Sequence, residues 1–126
     1  MITLSKEQVK RLHNKLLNAT GGLDGIKDEA LLDSALSAAF QTFDGAELYP
    51  SVTAKIARIS YGLICNHPFI DGNKRIGTYV MLILLELNNI EADFSDNDII
   101  RVGMEIAAGK MNDEQLLDLI LKKEAR

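Results

Sequence analysis

The sequence is poor in residues that cross-link or stiffen a chain. Of its 126 residues one is cysteine, two are proline and none is tryptophan. A single thiol, Cys65, excludes an internal disulfide and fits a reducing compartment. We expect Cys65 to be buried as a small hydrophobic residue. The length is nevertheless enough for one domain, residues 1–126, to bury a core without disulfide or metal support.

The chain also lacks an excess of positive charge and a long apolar run. The net charge is −4 and the pI about 5.1, so no broad basic surface is expected for direct binding to nucleic acid. The most apolar run, residues 79–85, is far shorter than the roughly 20 residues of a membrane helix. The first six residues do not resemble a signal peptide. We therefore expect a cytoplasmic protein without a membrane partner.

What the sequence does contain is a series of amphipathic segments with helical spacing. Each begins at a residue whose side chain can accept hydrogen bonds from the first helical turn. Apolar residues then recur every three or four positions. The predicted N-caps are Ser5, Asp28, Ser51, Ser95 and Asn112. The sequence therefore predicts an all-α fold of six or seven helices.

Residues 76–87 differ from the other helical segments because they are apolar on nearly every side. A helix without a polar face is expected to be buried all round. We predict that it is the central helix and that the others pack around it. A buried, rigid helix is also a good support for a functional site at its N-terminus.

Residues 41–50 interrupt the helical pattern. Thr42 and Phe43 precede an Asp44-Gly45 pair, which is typical of a tight turn between two short strands. Two interpretations of this predicted β-hairpin stay open. It is either a surface connection or an edge that holds an extended peptide by main-chain hydrogen bonds.

Directly before the central helix lies a segment that concentrates chemically useful side chains. A loop rich in glycine and cations that opens a helix suits a phosphate, because the first N–H groups of a helix are unpaired and its dipole attracts negative charge. Pro68 ends the preceding helix and predicts an extended backbone at His67. The segment reads His67, Pro68, Phe69, Ile70, Asp71, Gly72, Asn73, Lys74 and Arg75.

These side chains fit a site for phosphoryl or nucleotidyl transfer. His67 is suited to take a proton from an attacking hydroxyl, and Asp71 to hold Mg²⁺ together with nucleotide phosphates. Gly72 lets the backbone approach an anion, and Asn73 can fix either the loop or a phosphate. The cations of residues 74 and 75 neutralise phosphate charge. Phe69 is expected to be an apolar plug, and His13, on the first helix, a satisfied rather than a catalytic histidine.

Residues 67–75 resemble the signature of the Fic family, His-x-Phe-x-Asp/Glu-Gly-Asn-x-Arg, and are most similar to its Doc (death-on-curing) branch, whose loop carries Asn-Lys-Arg. The likeness extends to Leu12-His13 and to the loop at residues 21–23. The resemblance implies that ATP and magnesium are cofactors and that a flap aligns the target. It assigns proton transfer to His67, the metal to Asp71, the anion hole to Gly72, Asn73 and Arg75, and the flap to Thr42, Phe43, Asp44 and Gly45. Lys74 is expected to bind phosphate with them.

Two departures from the family pattern separate its chemistries. Members that transfer AMP usually have a second glycine after the asparagine and a second arginine three residues beyond the first. Here these positions hold Lys74 and Thr78. The Doc branch shares both features, binds ATP in the reversed sense and transfers the γ-phosphoryl group to a threonine of translation elongation factor Tu, which arrests protein synthesis. The chain differs from Doc at Gly72, where the Doc loop has alanine.

The resemblance thus favours a kinase-like toxin that modifies a protein hydroxyl. An AMP- or other nucleotidyl-transferase with the same fold is the first alternative. The second is a catalytically silent module in a toxin–antitoxin repressor complex. The family's inhibitory string, Ser/Thr-x-x-x-Glu-Gly/Asn, does not occur in the sequence, so the resemblance implies restraint by a separate antitoxin chain.

Overall fold

The computed structural model describes residues 1–124, and this part of the chain is mainly helical. A 3₁₀ turn at Ala38–Phe40 and a small antiparallel hairpin of β1 (Thr42–Phe43) and β2 (Ala46–Glu47) interrupt the helices. The predicted all-α class with one short hairpin is confirmed. The α-helices are α1 (Lys6–Thr20), α2 (Glu29–Ser37), α3 (Val52–Cys65), α4 (Asn73–Leu87), α5 (Asp96–Ala107) and α6 (Asp113–Lys123).

The N-termini of these helices fall where the sequence predicts them, with one informative exception. At α1 the Ser5 hydroxyl accepts from the Gln8 N–H while the Gln8 side chain accepts from the Ser5 N–H, which is the predicted capping box. The other four predicted caps also accept a backbone N–H of their helix. The exception is α4, which begins at Asn73 after an N-cap, Gly72, that has no side chain to accept a hydrogen bond.

The core is built on two helices rather than one. α3 packs against α2, α4, α5 and α6, and ten of its fourteen residues are buried. α3 and α4 approach closely at Gly77, where a Cβ atom would lie 2.4 Å from Cγ1 of Ile64. The expectation that α4 is buried all round is wrong, since Tyr79 and Leu87 are each 38% exposed. Apolar composition favours burial, but in residues 1–124 only α1, α3 and α5 pack closely on α4 and leave one side open.

The β-hairpin is held to α3 by a buried lysine. All four strand residues are exposed, and two strands of two residues are not stable alone. The Lys55 ammonium donates to the Tyr49 carbonyl and lies 3.0 Å from the Glu47 carboxylate. The base of the hairpin is therefore fixed, whereas its tip projects into solvent.

Among residues 1–124 no helix combines the length and the apolar character required to cross a membrane.

Candidate functional site

The candidate site is the corner between α3 and α4. His67 is exposed and has φ of 49°, so the predicted extended backbone at this residue is wrong. His67 directly follows Asn66, the C-cap of α3, and the residue after a C-cap commonly adopts a positive φ to stop a helix. Positive φ is uncommon outside glycine and is concentrated at functional sites. The last residue of α3, Cys65, is also exposed, contrary to expectation, because it faces away from the core at the helix end.

Phe69 and Asn73 give the corner its shape. Phe69 is only 1% exposed, so it is the apolar plug that the sequence predicts. The Asn73 amide oxygen accepts from the Phe69 N–H, and its amide nitrogen donates to the Phe69 carbonyl, each at 3.0 Å. Of the two roles considered for the Asn73 side chain, the structure shows the fixing of the loop.

The N-terminus of α4 presents backbone donors. The first intrahelical bond runs from Ile76 N–H to the Gly72 carbonyl at 2.9 Å. Residues 73–75 precede it, and within residues 1–124 their N–H groups donate to no other group. The start of α4 lies close to α1, and only glycine fits there. Gly72 has φ of 77°, and a Cβ atom on it would lie 2.8 Å from Cδ2 of Leu17. The N–H groups of residues 73–75 are available to an anion, and the anion hole itself stays a prediction.

Asp71 is a carboxylate oriented by backbone N–H groups. Its two oxygens accept from Leu23 N–H at 3.2 Å and from Gly72 N–H at 2.8 Å. These hydrogen bonds, with a smaller contribution from the Arg75 guanidinium 3.7 Å away, lower the pKa of Asp71 below its usual range. Asp71 is therefore ionised at neutral pH, with about half of its side chain exposed.

The donor set at Asp71 fits magnesium as a shared ligand rather than a protein cage. Mg²⁺ is usually held by one or two carboxylates, with phosphate oxygens and water completing its shell. In the part of the chain that the structure describes, no three His, Cys, Asp or Glu residues gather to form a metal site. One ionised, half-exposed carboxylate beside the N-terminus of α4 meets this smaller requirement.

The loop at residues 21–28, which we call the strap, runs alongside the corner. Ile70 N–H donates to the Gly25 carbonyl, and the N–H groups of residues 27 and 28 both donate to the Pro68 carbonyl. Arg75 donates through Nη1 to the Thr20 hydroxyl at 2.6 Å and to the Gly21 carbonyl at 2.7 Å. The predicted phosphate-binding arginine is thus held against the strap, at the edge of the α4 N-terminus.

Sequence reasoning missed the strap as part of the site and treated it only as a loop. A signal was nevertheless present in its glycines. A Cβ atom on Gly22 would lie 2.8 Å from the Asp71 carboxylate, so this close approach requires glycine. His13 was also missed as a neighbour of the site, although it is the satisfied histidine that was expected. It is 1% exposed and stacks on Phe69 with ring centroids 3.8 Å apart.

The β-hairpin and His67 lie at opposite ends of α3 in the chain, since the hairpin precedes this helix and His67 follows it. Among the described residues no hydrogen bond or ion pair joins residues 42–47 to His67. The turn itself is as predicted, with positive φ at both Asp44 and Gly45. The target-aligning role of residues 42–45 stays a prediction.

Comparison with known proteins now adds to this geometry. The sequence model of the Fic/DOC family matches residues 3–85. The chain belongs to the Fic/DOC family. It is also similar to the toxin Doc of Mycolicibacterium smegmatis (strain ATCC 700084 / mc(2)155), with 35% identity over 78 residues, which make up 60% of this chain and 60% of that protein. The family prediction and its Doc branch are thereby confirmed.

The Fic/DOC match covers the strap, the hairpin and the corner and ends within α4. The two positions that depart from the AMP-transferring pattern, 74 and 78, differ from each other in exposure and contacts. Lys74 is exposed, and its stem packs at α5, since its Cβ lies 3.3 Å from where Gly103 would carry one. The Thr78 hydroxyl donates back to the Lys74 and Arg75 carbonyls at 3.0 and 3.2 Å.

Proposed function

We propose that this protein is a toxin-like transferase that moves the γ-phosphoryl group of ATP to a hydroxyl of a target protein. Membership of the Fic/DOC family and the similarity to a protein named toxin Doc support a toxin of this kind. The corner supports phosphate chemistry, because it combines unpaired N–H groups, an arginine and an ionised carboxylate beside an exposed histidine.

The observation that favours phosphoryl over nucleotidyl transfer is the state of Thr78. AMP-transferring relatives usually place a second arginine at this position, and its charge would help to bind the inner phosphates. Here Thr78 is 5% exposed, and its hydroxyl donates hydrogen bonds to backbone carbonyls of its own helix. The loop therefore offers one fewer contact to an extended triphosphate, and Lys74 fills the place of a glycine.

In the proposed reaction the target hydroxyl attacks the γ-phosphorus while the bond to the bridging β–γ oxygen breaks, and ADP leaves. His67 accepts the hydroxyl proton, since its imidazole is exposed and hydrogen-bonds to no other residue of the described part of the chain. The N–H groups of residues 73–75 and the Arg75 guanidinium stabilise the charge on the equatorial oxygens. Asp71 would hold Mg²⁺, which supplies neutralisation of phosphate charge when bound.

The target and partner that we propose come from the Doc resemblance. The target is a threonine of translation elongation factor Tu, whose modification stops translation. The restraining partner is a separate antitoxin chain in the same cytoplasm. Neither a membrane nor direct nucleic-acid binding takes part in this proposal.

The experiment that tests the proposal uses ATP labelled separately at the γ and α phosphates. Purified protein, Mg²⁺ and a bacterial lysate containing elongation factor Tu are incubated, and the labelled proteins are identified. We expect label only from the γ position, with a rate about 10²–10⁴-fold lower in His67→Ala. His67 is exposed, so this variant should keep its stability within about 0.5 kcal/mol.

Two other outcomes would contradict the proposal. Label from the α position would mean nucleotidyl transfer despite Lys74 and Thr78. Absence of label from either position, combined with equal growth of cells that express the wild type or His67→Ala without an antitoxin, would leave the silent module as the function.

A further inference from the structure

His13 is a buried titratable residue that the proposed reaction does not use, yet it contacts the corner at two places and lies close to a third. Its ring stacks nearly parallel on Phe69, at an interplanar angle of 11°. Its Nε2 lies 2.7 Å from the backbone carbonyl oxygen of Asp71. The same nitrogen lies 3.6 Å from where Gly72 would carry a Cβ atom. A residue of α1, 58 positions before Asp71, is therefore built into the catalytic corner.

The direction of the hydrogen bond follows from the chemistry of its partner. A carbonyl oxygen only accepts, so the hydrogen must be on Nε2 of His13. On the other side of the ring, Nδ1 lies 3.4 Å from the Asp24 carboxylate, within the strap. The imidazole thus joins α1, the strap and the corner through one rigid side chain.

This hydrogen bond constrains more than the carbonyl it reaches. The Asp71 carbonyl and the Gly72 N–H belong to the same planar peptide group. Fixing the carbonyl therefore fixes the direction of the N–H, which donates to the Asp71 carboxylate at 2.8 Å. The chain of contacts runs from His13 through one peptide plane to the carboxylate oxygen.

We propose that His13 is a positioning residue that orients the Asp71 carboxylate for Mg²⁺ through the Asp71–Gly72 peptide plane. This inference rests on the proposed function, in which Asp71 holds the metal. Partners that orient a metal ligand typically change metal affinity by about 10–100-fold when they are removed. The flat ring suits the role because it combines a donor with a face that packs on Phe69.

The test compares two replacements of His13 in the full chain. His13→Phe keeps an aromatic ring for stacking on Phe69 but removes the donor. His13→Gln removes the ring but can place an amide N–H close to the position of Nε2. Val9→Ala is the control, since Val9 is a buried residue one turn earlier on α1 and its truncation lowers stability by a change in the core alone.

Two readouts are measured for each protein. The first is the ATP affinity in excess Mg²⁺ divided by the ATP affinity in EDTA. We expect this ratio to fall about tenfold or more in His13→Phe and to stay near the wild-type value in His13→Gln and Val9→Ala. The second is the NMR resonance of the Gly72 amide, which should shift in His13→Phe and much less in the other two.

The outcomes separate this inference from the proposed function. A wild-type protein whose ATP affinity does not depend on Mg²⁺ would overturn both. A wild-type dependence that persists in His13→Phe would overturn only the role of His13. The role of His13 would also be overturned if the affinity ratio fell as far in His13→Gln as in His13→Phe. The same holds if His13→Phe weakened ATP binding as much in EDTA as in Mg²⁺.

Discussion

Asn73 shows how one buried amide can define a site without touching a ligand. The residue is 9% exposed, and both hydrogen bonds of its side chain go to the backbone of Phe69. They close the turn that lets the chain leave α3 and enter α4. A polar residue in this position is therefore needed for the shape of the loop before any phosphate is bound.

Replacing Asn73 by alanine should consequently destabilise the fold. The N–H and carbonyl of Phe69 would lose their partners in a buried environment, which costs about 1–3 kcal/mol for each group. We expect a loss of about 2–4 kcal/mol in the free energy of unfolding, measured by urea denaturation. Asn97→Ala, at an exposed position of α5, is the matched control and should stay within about 0.5 kcal/mol of the wild type. An equally small loss of unfolding free energy in both variants would show that the Asn73 amide is not needed for stability.

Asp71 gives the stability a defined dependence on pH. Hydrogen bonds from Leu23 and Gly72 lower its pKa in the folded state below the ordinary 3.8. The unfolded chain then binds a proton more readily, so the stabilisation is complete above about pH 5 and disappears as the pH falls through the lowered folded value. The difference in unfolding midpoint between wild type and Asp71→Asn should thus be constant near neutral pH and shrink below about pH 4. A difference that grows on acidification would refute this assignment.

At the scale of single elements, helix starts could be predicted because each depends on a few neighbouring residues. Ser5 and Gln8, for example, form their capping box within one turn. The partners of the strap were harder to predict, because they lie in a distant part of the sequence and the strap bonds them through backbone groups that every residue has. Its glycines were the one local signal.

Alanine substitutions at two glycines with similar φ test how tightly the start of α4 is packed. Gly72 and Gly109 have nearly the same φ, +77° and +74°. A Cβ atom at Gly72 would meet Leu17, whereas at Gly109 nothing lies within 4 Å. Both alanine variants pay for the positive φ, and only Gly72→Ala adds overpacking of about 1–3 kcal/mol.

Thermal or urea unfolding of the two variants measures this difference directly. Gly72→Ala should be the less stable by about that amount. Equal stability would mean that Leu17 moves aside at little cost, as in a Doc-like loop that carries alanine at this position.

For the molecule as a whole, the sequence predicted the number of helices and the importance of α4, but not the equal importance of α3. The apolar pattern of α3 has one clear face, which indicates burial on one side. In the structure small residues let several elements approach it, as at Gly62, where a Cβ would lie 3.1 Å from the Ala35 backbone. Such contacts depend on the arrangement of whole helices, and no local pattern reports them.

The α3–α4 contact is therefore the most sensitive point of the core. In Gly77→Ala the new methyl group would overlap with Ile64, and we expect a loss of about 1–3 kcal/mol despite the better helix propensity of alanine. Gly103→Ala, in the middle of α5, is the control: its Cβ would lie 3.3 Å from the Cβ of Lys74, a much milder contact than the one at Gly77. It should lose clearly less stability than Gly77→Ala in the same urea titration. A loss as large as that of Gly77→Ala would indicate a general intolerance of α5 and not a tight α3–α4 contact.

The pairing of the strap with the corner also bears on how the chain is made. Leu23 and Asp71, which bond to each other, are 48 residues apart. Synthesis proceeds at roughly 5–20 residues per second, so the strap exists for several seconds before its partner has been added. A nascent chain that ends before residue 75 lacks the arginine and the helix start, and it cannot yet carry the transferase activity that we propose.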